Sequence, residues 1–360
     1  MPAGSRKIAV IAGDGIGPEV IAPCVRLLEW YRRERNLALE LWPLDLGAER
    51  YLREGVGLSL ELRERIGNEC AAVLLGAIGD PRIPDSAHAR EIVLGMRQGF
   101  DLFANIRPVR ALSDALVPLK SRVAADVDFV VVRENTEGAY AGLGRQLRRG
   151  TAEEVAIDED INTRRGVERL IRAGFELARS EGRARVHLAD KSNALRYGQE
   201  LWRRVFLEVA GEYPQIEARA EYVDALCYRV LVDPGAYQVI ITNNLFGDII
   251  SDLCAVLQGG LGMAASANVR FGATGELGLF EPVHGSAPEL AGRDVANPFG
   301  ALRSTGLLLE HLGWPEERMR IERSIARALA AGLCTADVGG LLGTRAAAEA
   351  VIEAIAKESS

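Results

Sequence analysis

Residues 7–20 read KIAVIAGDGIGPEV. Lys7 to Ala12 is a short, continuous apolar run of the length expected for one buried strand. Gly13, Gly15 and Gly17 follow at once. A helical pattern then extends from Pro18 to about Arg35. Pro18 suits the first turn, where a backbone N–H has no helical partner to lose. Strand, glycine turn and helix together form the opening unit of an α/β fold.

The pattern recurs downstream. Cys70 to Leu75 (CAAVLL) is a second apolar run and ends at Gly76. Asp128 to Val132 (DFVVV) runs into the polar stretch Arg133 to Gly138. Val186 to Ala189 leads to Asp190 and Lys191, and Ala220 to Val223 leads to Asp224. Val239 to Thr242 (VIIT) leads to Asn243 and Asn244. Short buried strands with polar or glycine-rich tips are therefore expected, and strand C-termini are where α/β proteins hold ligands. From about Gly262 the pattern reads as glycine-rich loops followed by helices, with Ala326 to Ala356 helical. The acidic segment Glu153 to Asp160 reads as solvated surface.

A chain of 360 residues exceeds one compact core, so two domains are expected. The formal net charge of -7 argues against nucleic acid as partner, because phosphate binding needs a basic surface. No apolar run approaches the roughly 20 residues that span a bilayer, so no membrane partner is expected. Met1 to Lys7 is short and polar, and no signal peptide is expected. Cys24, Cys70, Cys227, Cys254 and Cys334 are scattered and form no CxxC pair. Reduced thiols in a cytoplasmic protein fit this better than a disulfide framework or a zinc site.

Several residues carry candidate chemistry. The cluster Gly13-Asp14-Gly15-Ile16-Gly17 is not GxGxxG, because its third glycine comes one residue early; it is either a ligand loop or a tight turn. Asp248 and Asp252 are four apart in a segment that enters a helix, so they share a face. Either they bind a hard divalent cation such as Mg²⁺ or Mn²⁺, or they complement the helix dipole. Arg97, Arg107 and Arg133 suit bidentate grips on carboxylates, or else solvated surface. Lys191 beside Asp190 is a base or an ion-pair partner, and Tyr140 is a proton donor or a packing residue. The loop Phe280 to Ala291 (FEPVHGSAPELA) lacks GxSxG and any paired catalytic histidine, which excludes a serine hydrolase.

In order and spacing, AGDGIGPEV, DLFANIRPV (101–109), VRENTEGAY (132–140), DKSNAL (190–195), VDA (223–225), TNNLFGDIISDL (242–253), EPVHGSAPELAG (281–292) and ANP (296–298) resemble the β-decarboxylating dehydrogenases. These act on isopropylmalate, isocitrate, homoisocitrate or tartrate, and the resemblance runs from Ile8 to about Gly343. It implies an α/β, isopropylmalate/isocitrate dehydrogenase-like fold with a discontinuous first domain (1–102 and 259–360) and a second domain (103–258). It implies that Arg97, Arg107, Arg133 and Asp224 bind a 2-hydroxy acid, and that Tyr140 and Lys191 are catalytic. It further implies that Asp224, Asp248 and Asp252 hold the metal. His284, Gly285, Ser286, Ala287, Pro288, Glu289 and Asn297 would form the cofactor loop. Relatives are homodimers with shared active sites, so Lys191 and Asp224 would serve the partner's site.

Substrate choice in such enzymes depends on the helix carrying Arg97. At helical spacing Arg97 shares a face with Arg90, Val93 and Leu94. Isocitrate-specific relatives carry serine six residues before that arginine; here the position is Glu91, which would repel an extra carboxylate. Val93 and Leu94 offer apolar surface for an isopropyl group, which makes 3-isopropylmalate the expected substrate. Arg90 either meets a distal carboxylate, as homoisocitrate would require, or turns to solvent or an acidic neighbour. Glu289 keeps the acidic charge that accompanies NAD rather than NADP. A catalytically silent regulatory chain should have lost the lysine, the tyrosine or a metal aspartate, and this one keeps them all.

Overall fold

A computed structural model of the chain describes residues 5–271 and 276–358. Strand β1 (Arg6–Ile11) buries Ile8 to Ile11 completely or nearly so. The helix Gly17–Glu34 follows, with Pro18 in its first turn. It turns Val20, Ile21, Cys24, Leu27, Leu28 and Tyr31 inward, a spacing of three and four that makes one buried stripe. Each such apolar side chain contributes about 1.5–3 kcal/mol by leaving water.

The remaining strands are β2 (Leu39–Leu44), β3 (Ala72–Leu75), β4 (Ala104–Arg110), β5 (Asp128–Glu134), β6 (Gly144–Leu147), β7 (Val155–Asp158), β8 (Arg185–Asp190), β9 (Glu217–Tyr222), β10 (Val239–Thr242), β11 (Ala265–Val269) and β12 (Gly278–Pro282). Ten of them form one sheet in the order β2-β1-β3-β12-β11-β4-β5-β10-β8-β9. Pairing is parallel in both outer portions and antiparallel where β12, β11, β4 and β5 meet. Strands from 1–102 and 259–360 occupy one half of the sheet, and strands from 103–258 the other.

The six strands read from sequence are present. The expectation for the region after Gly262 is corrected: β11 and β12 lie there, near the middle of the sheet. Their sequence hides them. Ser266 and Asn268 of β11 are buried polar residues, satisfied by the carbonyls of Glu281 and Leu279 at 3.1 and 3.0 Å. A strand that interrupts its apolar run with such residues reads as loop. Strand β4 carries Pro108, which lies past Ile106, where its pairing with β11 ends, so no ladder bond to β11 is lost. The stretch Ala326 to Ala356 is two helices, Pro315–Ala330 and Thr344–Glu358, split at a turn where Gly332 and Gly339 adopt left-handed φ of 67° and 88°. The acidic surface segment forms β7, which pairs with β6 as an exposed ribbon.

Candidate active site

The site begins at the ends of β10 and β5. Thr242 pairs with Arg133 across these parallel strands. The helix Asn244–Ala255 starts immediately after β10, and the Asn243 side chain caps it by accepting the Phe246 N–H at 2.8 Å. Asp248 thereby sits one turn in, beside Arg133. The close approach needs Gly247, since a Cβ there would stand 2.4 Å from Arg133 Cγ.

Asp248 is the hub. Its Oδ1 accepts from Arg133 Nη1 at 2.5 Å and from Arg107 Nη1 at 3.3 Å, and its Oδ2 accepts from the Tyr140 hydroxyl at 3.0 Å. Arg107 also donates to Ser251 Oγ at 2.7 Å and lies 3.5 Å from Asp252. Burial works to raise the Asp248 pKa, but Arg133 and Arg107 outweigh it and hold the carboxylate below its usual range. Asp252 is raised, by burial first, with Arg107 opposing and Asp248 adding to the rise. Tyr140 is raised by burial and by the adjacent Asp248 charge. Burial and the neighbouring guanidiniums lower Arg133, whose intrinsic basicity keeps it charged.

Arg97 completes the cluster. It lies on the short helix Gly95–Gly99 and donates from Nη2 to Glu281 Oε1 at 2.6 Å. Its Nε is buried and has no hydrogen-bond partner among the described residues. Arg97, Arg107, Arg133, Tyr140 and Asp248 line one cavity of about 500 Å³ together with Arg90, Leu94, Ala139, Gly142 and Val283. Arg107 and Arg133 share Asp248, Arg107 also faces Asp252, and Arg97 pairs with Glu281, so the guanidiniums gather at one cavity, each already oriented by a carboxylate.

The helix before Arg97 differs from the α-helical face read from sequence. Residues Arg90–Leu94 form a π-helical turn. The wider turn keeps Arg90 and Leu94 on the cavity wall but rotates Val93 toward the core cluster of Ile92 and Met96. Val93 is therefore a packing residue rather than a wall of the cavity. Glu91 is likewise turned away, its Oε2 accepting the Gly57 N–H at 2.6 Å, so repulsion of a third carboxylate by Glu91 does not arise.

Lys191 and Asp224 form a separate ion pair, Nζ to Oδ1 at 2.5 Å. Lys191 holds the Asp224 carboxyl below its usual range. Asp224 lies just past the C-terminal end of β9, in the first turn of the helix Val223–Val232. Neither residue lines the cavity, and among the described residues no three His, Cys, Asp or Glu side chains converge on a metal position. One chain thus brings together Asp248 and Asp252 but not Asp224. The two that meet offer hard carboxylate oxygens on one helix face, the donor type that suits Mg²⁺ or Mn²⁺, and the raised Asp252 lacks full charge compensation.

The cofactor-loop candidates pack against the opening glycine turn. Ile16 N–H donates to the Ser286 carbonyl at 2.8 Å, and a Cβ on Gly15 would stand 2.0 Å from that oxygen. The glycine cluster is therefore a tight turn that braces the loop. Asp14 is buried, and its carboxylate receives Ala48 N–H, Gly79 N–H and His88 Nε2 at 2.7, 2.9 and 3.0 Å. The Nε2 of His284 is buried without a partner among the described residues, and burial lowers this imidazole's pKa. Gly285, Pro288 and Glu289 are exposed, and Ala287 has a left-handed φ of 38°. Asn297 is occupied at both ends: its Nδ2 donates to Asp337 and its Oδ1 accepts the Phe299 N–H.

Sequence reasoning missed the buried polar residues that orient the arginines. Glu281 holds Arg97, Asn105 accepts from Arg107 Nε at 2.6 Å, and Asn244 accepts from Arg133 Nη2 at 2.8 Å. Asn268 joins Asn105, Asn135 and Glu281. Asn105, Asn135, Asn244 and Glu281 lie inside motifs already quoted and Asn268 lies outside them, but a lone buried polar residue carries no periodic signal.

Comparison with known proteins supplies the context. The family described as isocitrate/isopropylmalate dehydrogenase matches residues 7–355. The 3-isopropylmalate dehydrogenase of Thermobifida fusca is 42% identical over 330 residues, covering 91% of this chain and 92% of the relative. That of Corynebacterium glutamicum is 44% identical over 321 residues, covering 89% and 92%. The crystal structure of isocitrate dehydrogenase from Methylococcus capsulatus superposes with a TM-score of 0.87 at 34% identity, covering 97% of this chain and 99% of that one. The apo β-decarboxylating dehydrogenase of Thermococcus kodakarensis gives 0.78 at 34%, covering 98% and 96%. With this match and an arginine–tyrosine–aspartate cavity in place, the chain belongs to the isocitrate/isopropylmalate dehydrogenase family, enzymes that work with a nucleotide cofactor and a divalent metal.

Proposed function

We propose that this protein oxidises and decarboxylates (2R,3S)-3-isopropylmalate to 2-oxoisocaproate with NAD and Mg²⁺ or Mn²⁺, a step of leucine biosynthesis. The carrying observation is the cavity in which Arg97, Arg107 and Arg133 converge beside Tyr140 and Asp248. Leu94 supplies apolar wall for the isopropyl group, and the similarity to 3-isopropylmalate dehydrogenases favours this substrate over its relatives.

The residues divide the work. Arg97, Arg107 and Arg133 orient the two carboxylates and balance their charge. Asp248 and Asp252, with the partner subunit's Asp224, would hold the cation. When bound, the metal supplies Lewis-acid polarisation of the C2 oxygen. The partner subunit's Lys191 would take the hydroxyl proton at Nζ, and a bound nicotinamide would supply the acceptor for the C2 hydride. Carbon dioxide leaves from C3 of the 2-keto acid, and the Tyr140 hydroxyl returns a proton to C3. The acidic Glu289 suits a ribose hydroxyl and disfavours a 2′-phosphate, which is the argument for NAD.

A homodimer is part of this reading. Leu245, Ile249 and Val256, on and just beyond the helix that carries both aspartates, are exposed, as are Tyr228 and Val232 on the Asp224 helix. The β6–β7 ribbon exposes Leu147, Val155 and Ile157. Apolar residues gathered this way support a subunit interface. We also take the two halves of the sheet as the two domains, 1–102 with 259–360 and 103–258. A cytoplasmic setting fits five unpaired cysteines.

The test is NADH formation across 3-isopropylmalate, isocitrate, homoisocitrate, tartrate and malate, with NADP in parallel and with chelator added. The highest kcat/KM should belong to isopropylmalate with NAD, and chelation should abolish it. A larger kcat/KM for a substrate with a third carboxylate would overturn the assignment.

A further inference from the structure

Arg90 is not used by the mechanism above. It lies on the cavity wall with Leu94, Arg97 and Val283. The other three cavity arginines face carboxylates: Arg97 faces Glu281, Arg107 faces Asp248 and Asp252, and Arg133 faces Asp248. Arg90 has no carboxylate partner among the described residues. One guanidinium nitrogen, Nη1, donates to the Asp85 carbonyl, which anchors the side chain and leaves its remaining donors uncommitted.

Its position suggests the anion. The cavity wall that holds Arg90 also holds Val283, which leads directly into His284, Gly285 and Ser286. The segment that runs to Arg90 touches the same loop from the other side. A Cβ on Gly79 would stand 3.0 Å from Ser286 Oγ, and Asp85, six residues on, receives the Arg90 bond. Arg90 therefore shares one cavity wall with Val283, where the loop read as the adenosine site begins, and with Arg97 and Tyr140 of the reaction centre. A dinucleotide reaching from one to the other carries its diphosphate between them. A substrate with an isopropyl arm has no third charge to offer Arg90.

We propose that Arg90 grips the diphosphate of the dinucleotide cofactor and so serves as a cofactor-binding residue of this site. Across the π-turn Arg90 and Arg97 stay on one wall, while Val93 packs against the core. The inference rests on the dehydrogenase reading above.

The test uses the full-length protein with Mg²⁺ and two probes that need no turnover. ADP-ribose carries the adenosine and the diphosphate; adenosine carries no phosphate. In calorimetric titrations Arg90→Ala should weaken ADP-ribose by about tenfold, the range of a charge-assisted hydrogen bond, and leave adenosine binding at the parent value. Arg90→Lys, which keeps the charge, should recover part of the loss. In steady state the loss should appear as a raised KM for NAD more than as a lowered kcat. Unchanged ADP-ribose affinity in Arg90→Ala overturns the proposal. So does a raised KM for the hydroxy acid with ADP-ribose unaffected, which would give Arg90 to the substrate. If the parent protein binds neither probe, the cofactor loop itself is misassigned and the proposal falls with it. The substrate panel distinguishes that case from a wrong substrate.

Discussion

Asp248 shows how one carboxylate can be prepared for two states. In the free protein it receives two guanidiniums and the Tyr140 hydroxyl. On the proposed reading, a bound dianion would give those arginines new carboxylates to hold and leave Asp248 free to hold a cation. Tyr140 is then the group whose proton has no competing use. Tyr140→Phe should lower kcat by about 10²- to 10⁴-fold, with KM for the hydroxy acid changed far less, measured by steady-state NADH formation. A fall in kcat/KM that came entirely from KM would make Tyr140 a packing residue. At this level the sequence was legible for Arg107, Arg133, Tyr140 and Asp248, because they stand in recognisable motifs. It was not legible for their supports. Asn105, Asn244, Asn268 and Glu281 act through buried hydrogen bonds between segments far apart in the chain.

Two elements carry the site, and each departs from a regular pattern. The helix Asn244–Ala255 can lie against β5 because Gly247 leaves room for the Arg133 stem. Arg133 is almost wholly buried and held at both Asn244 and Asp248, so it has nowhere to go. Gly247→Ala should therefore destabilise the protein by about 1–3 kcal/mol as overpacking, seen in the thermal midpoint, and should raise KM for the hydroxy acid. An unchanged KM would show that Arg133 does not position substrate. The second element is the segment Arg90–Leu94. A 3.6-residue period places Arg90, Val93, Leu94 and Arg97 on one face, and the period is wrong there. The π-turn removes Val93 from that face, and nothing in the residue pattern announces it.

Two properties belong to the whole molecule. The first is assembly. Lys191 and Asp224 sit apart from the cavity of their own chain, so Lys191→Ala and Tyr140→Phe chains should each be inactive alone yet regain activity when their subunits are exchanged. A mixed dimer then contains one site with the native Tyr140 of one chain and the native Lys191 of the other. Failure to complement, with mixed dimers verified by mass, would place both residues in one chain's site. The second is pH. His187 is buried against Tyr237, with ring centroids 4.6 Å apart, and its Nδ1 has no partner among the described residues. Burial lowers its pKa below the ordinary 6.5, although Glu221 opposes the shift. The unfolded chain then binds the proton more readily than the folded one. Stability is complete above about pH 6.5 and declines as pH falls below it. Burial lowers His311 too, in the same direction. Urea midpoints at pH 7.5 and 5.5 should fall further for the parent than for His187→Gln; an equal fall would show that His187 does not set the acid sensitivity.

The chain order of strands, glycine turns and polar tips was enough to establish the α/β class, because periodicity and turn chemistry are local. The motifs were enough to nominate the charged residues, because reactive side chains cannot be replaced by others of similar size. Tertiary structure alone revealed the rest. It placed β11 and β12 near the middle of the sheet, turned Glu91 and Val93 away from the cavity, and left Arg90 beside it without a carboxylate. These outcomes depend on contacts between distant segments, such as that between Arg97 and Glu281, 184 residues apart. No window along the chain contains both partners, so the pairing exists only once the sheet has brought them together.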